Sequence, residues 1–447
     1  MPLDCLSVPL SRDLYDIPIG ARHIIYSPLR GLALLLNRDA LQLLKSLLAG
    51  ETAAPRNPTE LTALNRLAAL QLNDPDPPIP PHLQAKDFCP TSVKLFLTYN
   101  CNLRCRYCYS MGGDNPLDMP VEMARAAIDL VCENAVRTKR SEIFIRFHGA
   151  GEPTTNWAVL VDAVDYASKK ASEHRLNGRF SLTSNCMFNR GQARWIADHM
   201  THVNASMDGP EAIQNEQRPT VDEKGSFENV FRTLKCLEEF GVEYHIRCTV
   251  TDASVARLPE SVRFFCRNLR PRSIHIEPVA YCGRCVSTGV QPPDPDRFIE
   301  SYRLARAIGK GFKIALHYSG AQLNSLGCCF CGAAGHNFIV LPDGNVTTCF
   351  DVCRVSDPRA GYFFYGQYCA ENRSFTFDQE RLEVLRHISE IRRQSCESCF
   401  LQWHCAGECM AKSVINTNDI LMPDPSRCRI NQIVARERLE ELLEAGE

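Results

Sequence analysis

The 447-residue sequence has no long uninterrupted apolar run. Its most apolar stretch, residues 31–44, is broken by Asn37, Arg38 and Asp39, too short and too charged for a membrane span of about 20 apolar residues. It has no excess of one charge either, with 50 Lys+Arg against 52 Asp+Glu. Bulk electrostatics therefore imply neither a nucleic-acid nor an anionic-membrane partner. The opening residues, Met1 to Ser7, lack the basic start and apolar core of a signal peptide, and the expectation is a cytoplasmic protein. Cysteine, by contrast, is abundant, with 23 residues. Without an export signal, that number argues against a disulfide framework and for metal ligation.

Three of the cysteines stand close together, as Cys101, Cys105 and Cys108 in a C-x3-C-x2-C run. Three thiolates can hold a [4Fe–4S] cluster by three of its irons and leave the fourth open. A zinc site would be closed by a fourth protein ligand, and none lies nearby in the sequence. The β-branched and apolar run before the triplet reads as a strand, as does 143–148 downstream. That second run leads into Gly149-Ala150-Gly151-Glu152-Pro153, where glycine lets the backbone approach a ligand closely and Glu152 can accept from an amine. With Tyr107 before its last cysteine, the triplet resembles the signature of the radical S-adenosylmethionine (SAM) enzymes. Residues 149–153 resemble that family's GGEP motif, with Ala150 in place of the first glycine.

The resemblance implies that Gly149, Ala150, Gly151 and Glu152 receive the amino group of SAM. It also places Ser206 and Arg218 against SAM's carboxylate or ribose, because residues 206–210 resemble the family's S-x-D-G-P and Arg218 follows at the family's spacing. Asn185 would face the nucleoside. Asp208 has a second reading, as a turn former before Gly209.

Along the chain, residues 1–72 read as one α+β unit. It has short strands on either side of Ser27 and Pro28, a helix from Asp39 ended by Gly50, and a second helix at 60–72. This pattern resembles the winged-helix-like, PqqD-like peptide-recognition domain of peptide-modifying enzymes; the other reading is a structural cap. Residues 73–90 are a proline-rich linker, stiff because proline fixes φ. From 91 to 315, strands at 93–98, 143–148, 179–184, 202–206, 244–250 and 273–278 alternate with helices, among them 121–137, 157–173 and 227–240. Such alternation implies parallel strands with right-handed crossovers. Six units fit an α/β fold of partial (β/α)6, TIM-like type, which the resemblance also implies, with ligand-binding residues on the loops after the strands.

Residues 316–447 carry a second cysteine array: Cys331, then Gly344 and Cys349, then Cys396, Cys399, Cys405, Cys409 and Cys428. The spacing resembles the SPASM extension of radical SAM enzymes. Carried over from that family, Cys396, Cys399, Cys405 and Cys428 hold a distal [4Fe–4S] cluster, and Cys331, Cys349 and Cys409 an inner one. Cys328 and Cys329 both qualify as the inner fourth ligand, with Cys328 making the easier C-x2-C chelate. Zinc is the rival metal for C-x2-C pairs. Cys282, Cys285 and Cys353 stand outside the array, and Cys132, Cys236 and Cys266 read as core packing.

The expected cofactors are thus SAM and three [4Fe–4S] clusters, and the expected activity that of an oxidoreductase. SAM is cleaved to a 5′-deoxyadenosyl radical that takes hydrogen from a ribosomally made precursor peptide, and a thioether or carbon–carbon crosslink forms. The expected partners are a precursor with a leader and a flavodoxin- or ferredoxin-type reductant. A second reading is sulfatase-maturase-like formylglycine formation, with Asp351 as a loose candidate base. A third, without catalysis, is a zinc-bearing binding module.

Overall fold

Residues 8–37 fold as an antiparallel meander of four strands, β1 (Val8–Ser11), β2 (Leu14–Ile19), β3 (Arg22–Ser27) and β4 (Leu32–Asn37). The computed structural model describes residues 6–51, 55, 57–70, 72, 77–80 and 88–445. Most of the expected linker at 73–90 therefore lies outside the described residues. Two helices follow the meander, Arg38–Leu48 and Pro58–Ala69. Asn37 and Asn57 cap them, each accepting from a first-turn backbone N–H. The sequence reading holds only the second hairpin of this sheet, because Pro9 and Pro18 mask the strand character of β1 and β2.

The meander is covered on both faces. Leu14 and Ile25 pack on Leu41, Leu44 and Leu67 of the two helices. From the opposite face, Tyr15, Ile17, Ile24 and Tyr26 pack on Phe400, Leu401, Cys405, Ala435 and Leu439. The Tyr26 hydroxyl meets His404 Nε2 at 2.7 Å, and Ser7 Oγ donates to the Ser398 carbonyl at 3.0 Å. The N-terminal sheet is thus joined to the C-terminal cysteine region by a shared apolar core.

The central sheet starts with β5 (Ser92–Phe96). It continues through β6 (Glu142–His148), β7 (Asn177–Ser184), β8 (His202–Ser206), β9 (Tyr244–Val250), β10 (Ser273–Pro278) and β11 (Ala315–His317), each parallel to its neighbour. Helices Val121–Arg137, Trp157–Glu173 and Phe227–Glu239 cross between strands, and the expected α/β class and partial barrel are the fold observed. The two faces of the curved sheet differ in chemistry. Ile143, Ile145 and Phe147, like Tyr244, Ile246, Cys248 and Val250, are buried in the core that includes Ile128, Leu160 and Val262 from the covering helices. The alternate residues, Arg146 and His148 or His245, Arg247 and Thr249, are only partly covered or exposed. A complete barrel fills its interior with layers of branched side chains; this concave face is polar and open.

The C-terminal region continues the same sheet. β12 (Ile339–Val340) pairs parallel to β5, and β13 (Asn345–Thr347), β14 (Phe364–Cys369) and β15 (Ser374–Phe377) add on antiparallel, giving eleven strands in all. Among the described residues, no helix is long and apolar enough to cross a membrane.

Candidate active site

The loop after β5 carries Cys101, Cys105 and Cys108, and several distant elements hold its shape. Arg104 donates from Nη1 to the carbonyls of Cys101 (2.9 Å) and Leu103 (3.0 Å). Tyr107 Oη donates to Asp208 Oδ2 at 2.5 Å, the same oxygen that accepts from Arg218 Nε at 3.0 Å. Asp208 also accepts from the backbone N–H of Thr249 and is buried. It is a hub behind the cluster loop, which its turn-former reading did not convey.

Each thiol of the triplet has an N–H nearby. Asn185 Nδ2 lies 3.8 Å from Cys101 Sγ, Arg218 Nη1 lies 3.7 Å from Cys105 Sγ, and the Gly112 N–H lies 3.4 Å from Cys108 Sγ. Burial pushes the Cys101 thiol up and the Cys105 thiol up to about 11, the latter against the pull of Arg218. Thiolates in this setting need a cationic centre beside them. The spacing fits a cluster better than a single ion. A zinc ion holds sulfur at about 2.3 Å, so two of its thiolates stand at most about 4.6 Å apart. Among the described residues, the one group of three donors within 4.8 Å of one another is Cys328, Cys329 and His336. The triplet is spread wider, as a polynuclear centre requires.

The glycine turn lies directly on this loop. A Cβ on Gly151 would come within 2.0 Å of the Asn100 carbonyl oxygen, so only glycine allows the approach. The N–H groups of Gly151 and Glu152 donate to the carbonyls of Thr98 (3.0 Å) and Asn100 (2.8 Å). Ala150 is buried, and its carbonyl accepts from Ser110 Oγ at 2.5 Å. The Glu152 carboxylate is 3% exposed and already accepts four hydrogen bonds, from Thr154 N and Oγ1, Ser184 Oγ and Asn185 N. Three of them fall on Oε1, which leaves Oε2 the freer oxygen. Burial raises its pKa against those four donors.

Asn185 also donates to Asn102 Oδ1 at 2.7 Å and accepts from Met187 N at 2.9 Å, so its amide already braces the loop. Ser206, at the end of β8, is half-buried with no side-chain partner among the described residues.

The C-terminal cysteines fall into two groups. Cys396, Cys399, Cys405 and Cys428 line one cavity together with Leu401, Asn431 and Gln432. Asn431 Nδ2 donates to Cys405 Sγ there at 3.3 Å. Cys331, Cys349 and Cys409 lie near one another: Cys331 and Cys409 act on the titration of Cys349, and Cys331 on that of Cys409. Cys329 and Cys409 pack against the apolar cluster that contains Cys349, and the Cys328 thiol lies within 4.8 Å of that of Cys329. Asp351 stands between this group and the barrel. Its charge reaches Cys349 and Cys409 on one side and Tyr109 and Cys282 on the other. Its carboxylate makes no hydrogen bond or ion pair among the described residues, and its charge is felt by Lys412 and Arg359.

Other contributors were not apparent from the sequence. Arg284 donates to the carbonyls of Cys105 (3.1 Å) and Gly112 (3.0 Å), and Arg354 to those of Ser110 (3.0 Å) and Met111 (3.2 Å). Gly283, at φ +56°, sits where a Cβ would meet the Cys108 carbonyl oxygen at 2.5 Å. The loop after β10 and the segment after Asp351 thus strap the cysteine loop from both sides. The only signal of this in the sequence is the arginine beside each of the unassigned cysteines Cys285 and Cys353.

Residues 95–263 match the radical SAM superfamily. The barrel is a radical SAM domain. Two curated relatives extend the likeness beyond the barrel. The mycofactocin maturase MftC of Mycolicibacterium smegmatis is 26% identical over 341 residues, 74% of this chain and 80% of that protein. The cysteine-type anaerobic sulfatase-maturating enzyme of Clostridium novyi is 24% identical over 280 residues, 59% of this chain and 74% of that protein. Among solved structures, Streptococcus suis SuiB bound to its precursor peptide SuiA superposes with a TM-score of 0.52 at 14% identity. That match covers 94% of this chain and 99% of SuiB, a likeness of fold. The match to a superfamily of enzymes speaks against the non-catalytic zinc module of the third reading.

Proposed function

We propose that this radical SAM enzyme modifies a ribosomally made precursor peptide, forming a thioether or carbon–carbon crosslink. The observation that carries the reading is the convergence, at one barrel mouth, of three spread thiols, a glycine turn and a free serine hydroxyl, with a second set of thiols behind Asp351. Cys101, Cys105 and Cys108 would hold a [4Fe–4S] cluster, which with SAM would supply the radical chemistry that removes hydrogen from an unactivated carbon. Gly149, Ala150, Gly151 and Glu152 orient the amino group of SAM, Ser206 and Arg218 its carboxylate or ribose, and Asn185 the nucleoside side. Cys396, Cys399, Cys405 and Cys428 hold a distal auxiliary cluster. Cys331, Cys349 and Cys409 hold the inner one, with Cys329 or Cys328 as fourth ligand. Asp351, unpaired between the inner thiols and Tyr109, is placed to take the proton released when the product closes. The N-terminal sheet docks the leader as an added strand, and a flavodoxin or ferredoxin supplies the electron.

Peptide maturases among its likenesses support this reading; the sulfatase-maturating relative supports formylglycine formation as the second. One experiment decides between them. The enzyme, purified anaerobically, is incubated with SAM, dithionite and synthetic peptides encoded by the small reading frames beside its gene, and with a sulfatase-type Cys peptide. Loss of two hydrogens with all sulfur retained is the expected product. Loss of sulfur from the Cys peptide alone would establish the second reading.

The SAM-orienting role of Glu152 has its own test. A charge-assisted hydrogen bond is worth about 1.5–3 kcal/mol, so Glu152→Gln is expected to raise the SAM dissociation constant by about ten- to a hundredfold while iron content is kept. Unchanged SAM affinity would mean that the carboxylate serves only its four internal donors, on its own loop and at the end of β7.

A further inference from the structure

Arg247 lies mid-way along β9 on the polar concave face, in register with Ser206 of β8 and His275 of β10. It is exposed, and its guanidinium has no hydrogen bond or ion pair among the described residues. Arginines nearby are committed: Arg218 to Asp208, Arg284 to Asp114, Arg427 to Glu408 and Glu277. The Arg247 charge nevertheless reaches the mouth. After burial, it is what pushes the His148 imidazole down to about 3, and it acts on Tyr109, whose hydroxyl donates to the Gly149 carbonyl at 3.4 Å.

A second uncommitted guanidinium shares this face. Arg146 of β6 is exposed, lies over the Phe144 ring at 5.6 Å and has no carboxylate partner. The carboxylates on the same face are taken, Glu142 by Arg179 and Glu277 by Lys412 and Arg427. Unpaired cations in a concave, low-dielectric space attract and concentrate an anion. The planar arginine fork fits the two oxygens of a carboxylate.

We propose that Arg247 anchors a carboxylate of the substrate peptide on the concave face beside the SAM-binding mouth, with Arg146 adding positive charge further down the same face. The subsite rests on the peptide-substrate reading given above. The carboxylate comes from an Asp or Glu side chain or from the peptide's C-terminus, since both offer the same pair of oxygens. In the proposed function SAM's own carboxylate falls to Ser206 and to the part of the Arg218 guanidinium that Asp208 does not engage.

The test uses the reconstituted holoenzyme saturated with SAM. It is mixed with a pooled library of N-acetylated peptides, half with free and half with amidated C-termini, and the peptides it retains on gel filtration are read by mass spectrometry. Acidic peptides are expected to be enriched about tenfold over their amide counterparts, the size of one charge-assisted contact. Enrichment of Asp and Glu in both halves identifies a side chain as the source; enrichment confined to free C-termini identifies the terminus. Arg247→Gln is expected to abolish the enrichment, Arg247→Lys to keep part of it, and the SAM dissociation constant to stay put in both. Peptides retained without any preference for carboxylate would overturn the subsite while leaving the peptide reading intact. A SAM dissociation constant that rises in Arg247→Gln would reassign the residue to SAM. A holoenzyme that retains no peptide of either half sinks the peptide reading, and the subsite with it.

Discussion

Replacing Cys101, Cys105 and Cys108 together by Ala is expected to remove about a third of the iron, one cluster of three, and to abolish SAM cleavage. The effect is expected to be complete because in the proposed function these thiols hold the iron, while Glu152, Ser206 and Arg218 orient SAM upon it. The remaining two thirds should persist, since Cys396, Cys399, Cys405 and Cys428 line a cavity of their own, and Cys349 and Cys409 belong to a separate apolar cluster. Iron and sulfide analysis with an assay for 5′-deoxyadenosine checks both halves of the expectation. Stoichiometric zinc with no labile sulfide in the parent protein would remove the basis for it.

Removal of residues 1–72 is expected to do more than uncouple a peptide-docking unit. Tyr15, Ile17 and Ile24 are fully buried and Tyr26 nearly so, in a core shared with Phe400, Leu401 and Cys405. Each such side chain contributes about 1.5–3 kcal/mol, so the lost interface rivals the whole stability of a domain, about 5–15 kcal/mol. The truncated enzyme should therefore process no precursor, lose the distal third of its iron and tend to aggregate through the uncovered Phe400 and Leu401. Uncoupled SAM cleavage, carried by the barrel, should largely survive. A soluble truncated chain with its full iron would show that the sheet buttresses nothing; one that also processes precursor at the parental rate would make the N-terminal unit a cap.

The first six strands of the central barrel were legible because short apolar and β-branched runs recur between helical patterns, a signal that survives without any tertiary information; β11, at three residues, is too short to give one. The cysteine triplet and the 149–153 turn were legible for a related reason, since their chemistry lies in short-range spacing. The distal quartet was reached by family spacing, and the cavity it lines gathers the same four residues. Residues whose meaning depends on distant partners were not legible. Asp208 reads as a turn former until Tyr107 and Arg218 are brought to it, and Arg284 and Arg354 look like surface charges until they are seen gripping the cysteine loop. The strands β12 and β13 are too short to show a period, at two and three residues. The N-terminal meander was half-read, because Pro9 and Pro18 argue against strands that an edge and a packed face tolerate.

The pairing of β12 with β5 has a mechanical consequence. The strand that launches the cysteine triplet and the strand that leads toward Cys349 are hydrogen-bonded neighbours, Lys94 with Ile339 and Leu95 with Val340. No hinge separates them within the sheet, so one continuous backbone lattice sets the spacing between the two sets of thiols. With the proposed clusters in place, electron tunnelling between them would run at a fixed distance through every turnover. The proposed peptide substrate would then enter along the open side of the half-barrel as an extended chain, with the C-terminal region held where it is.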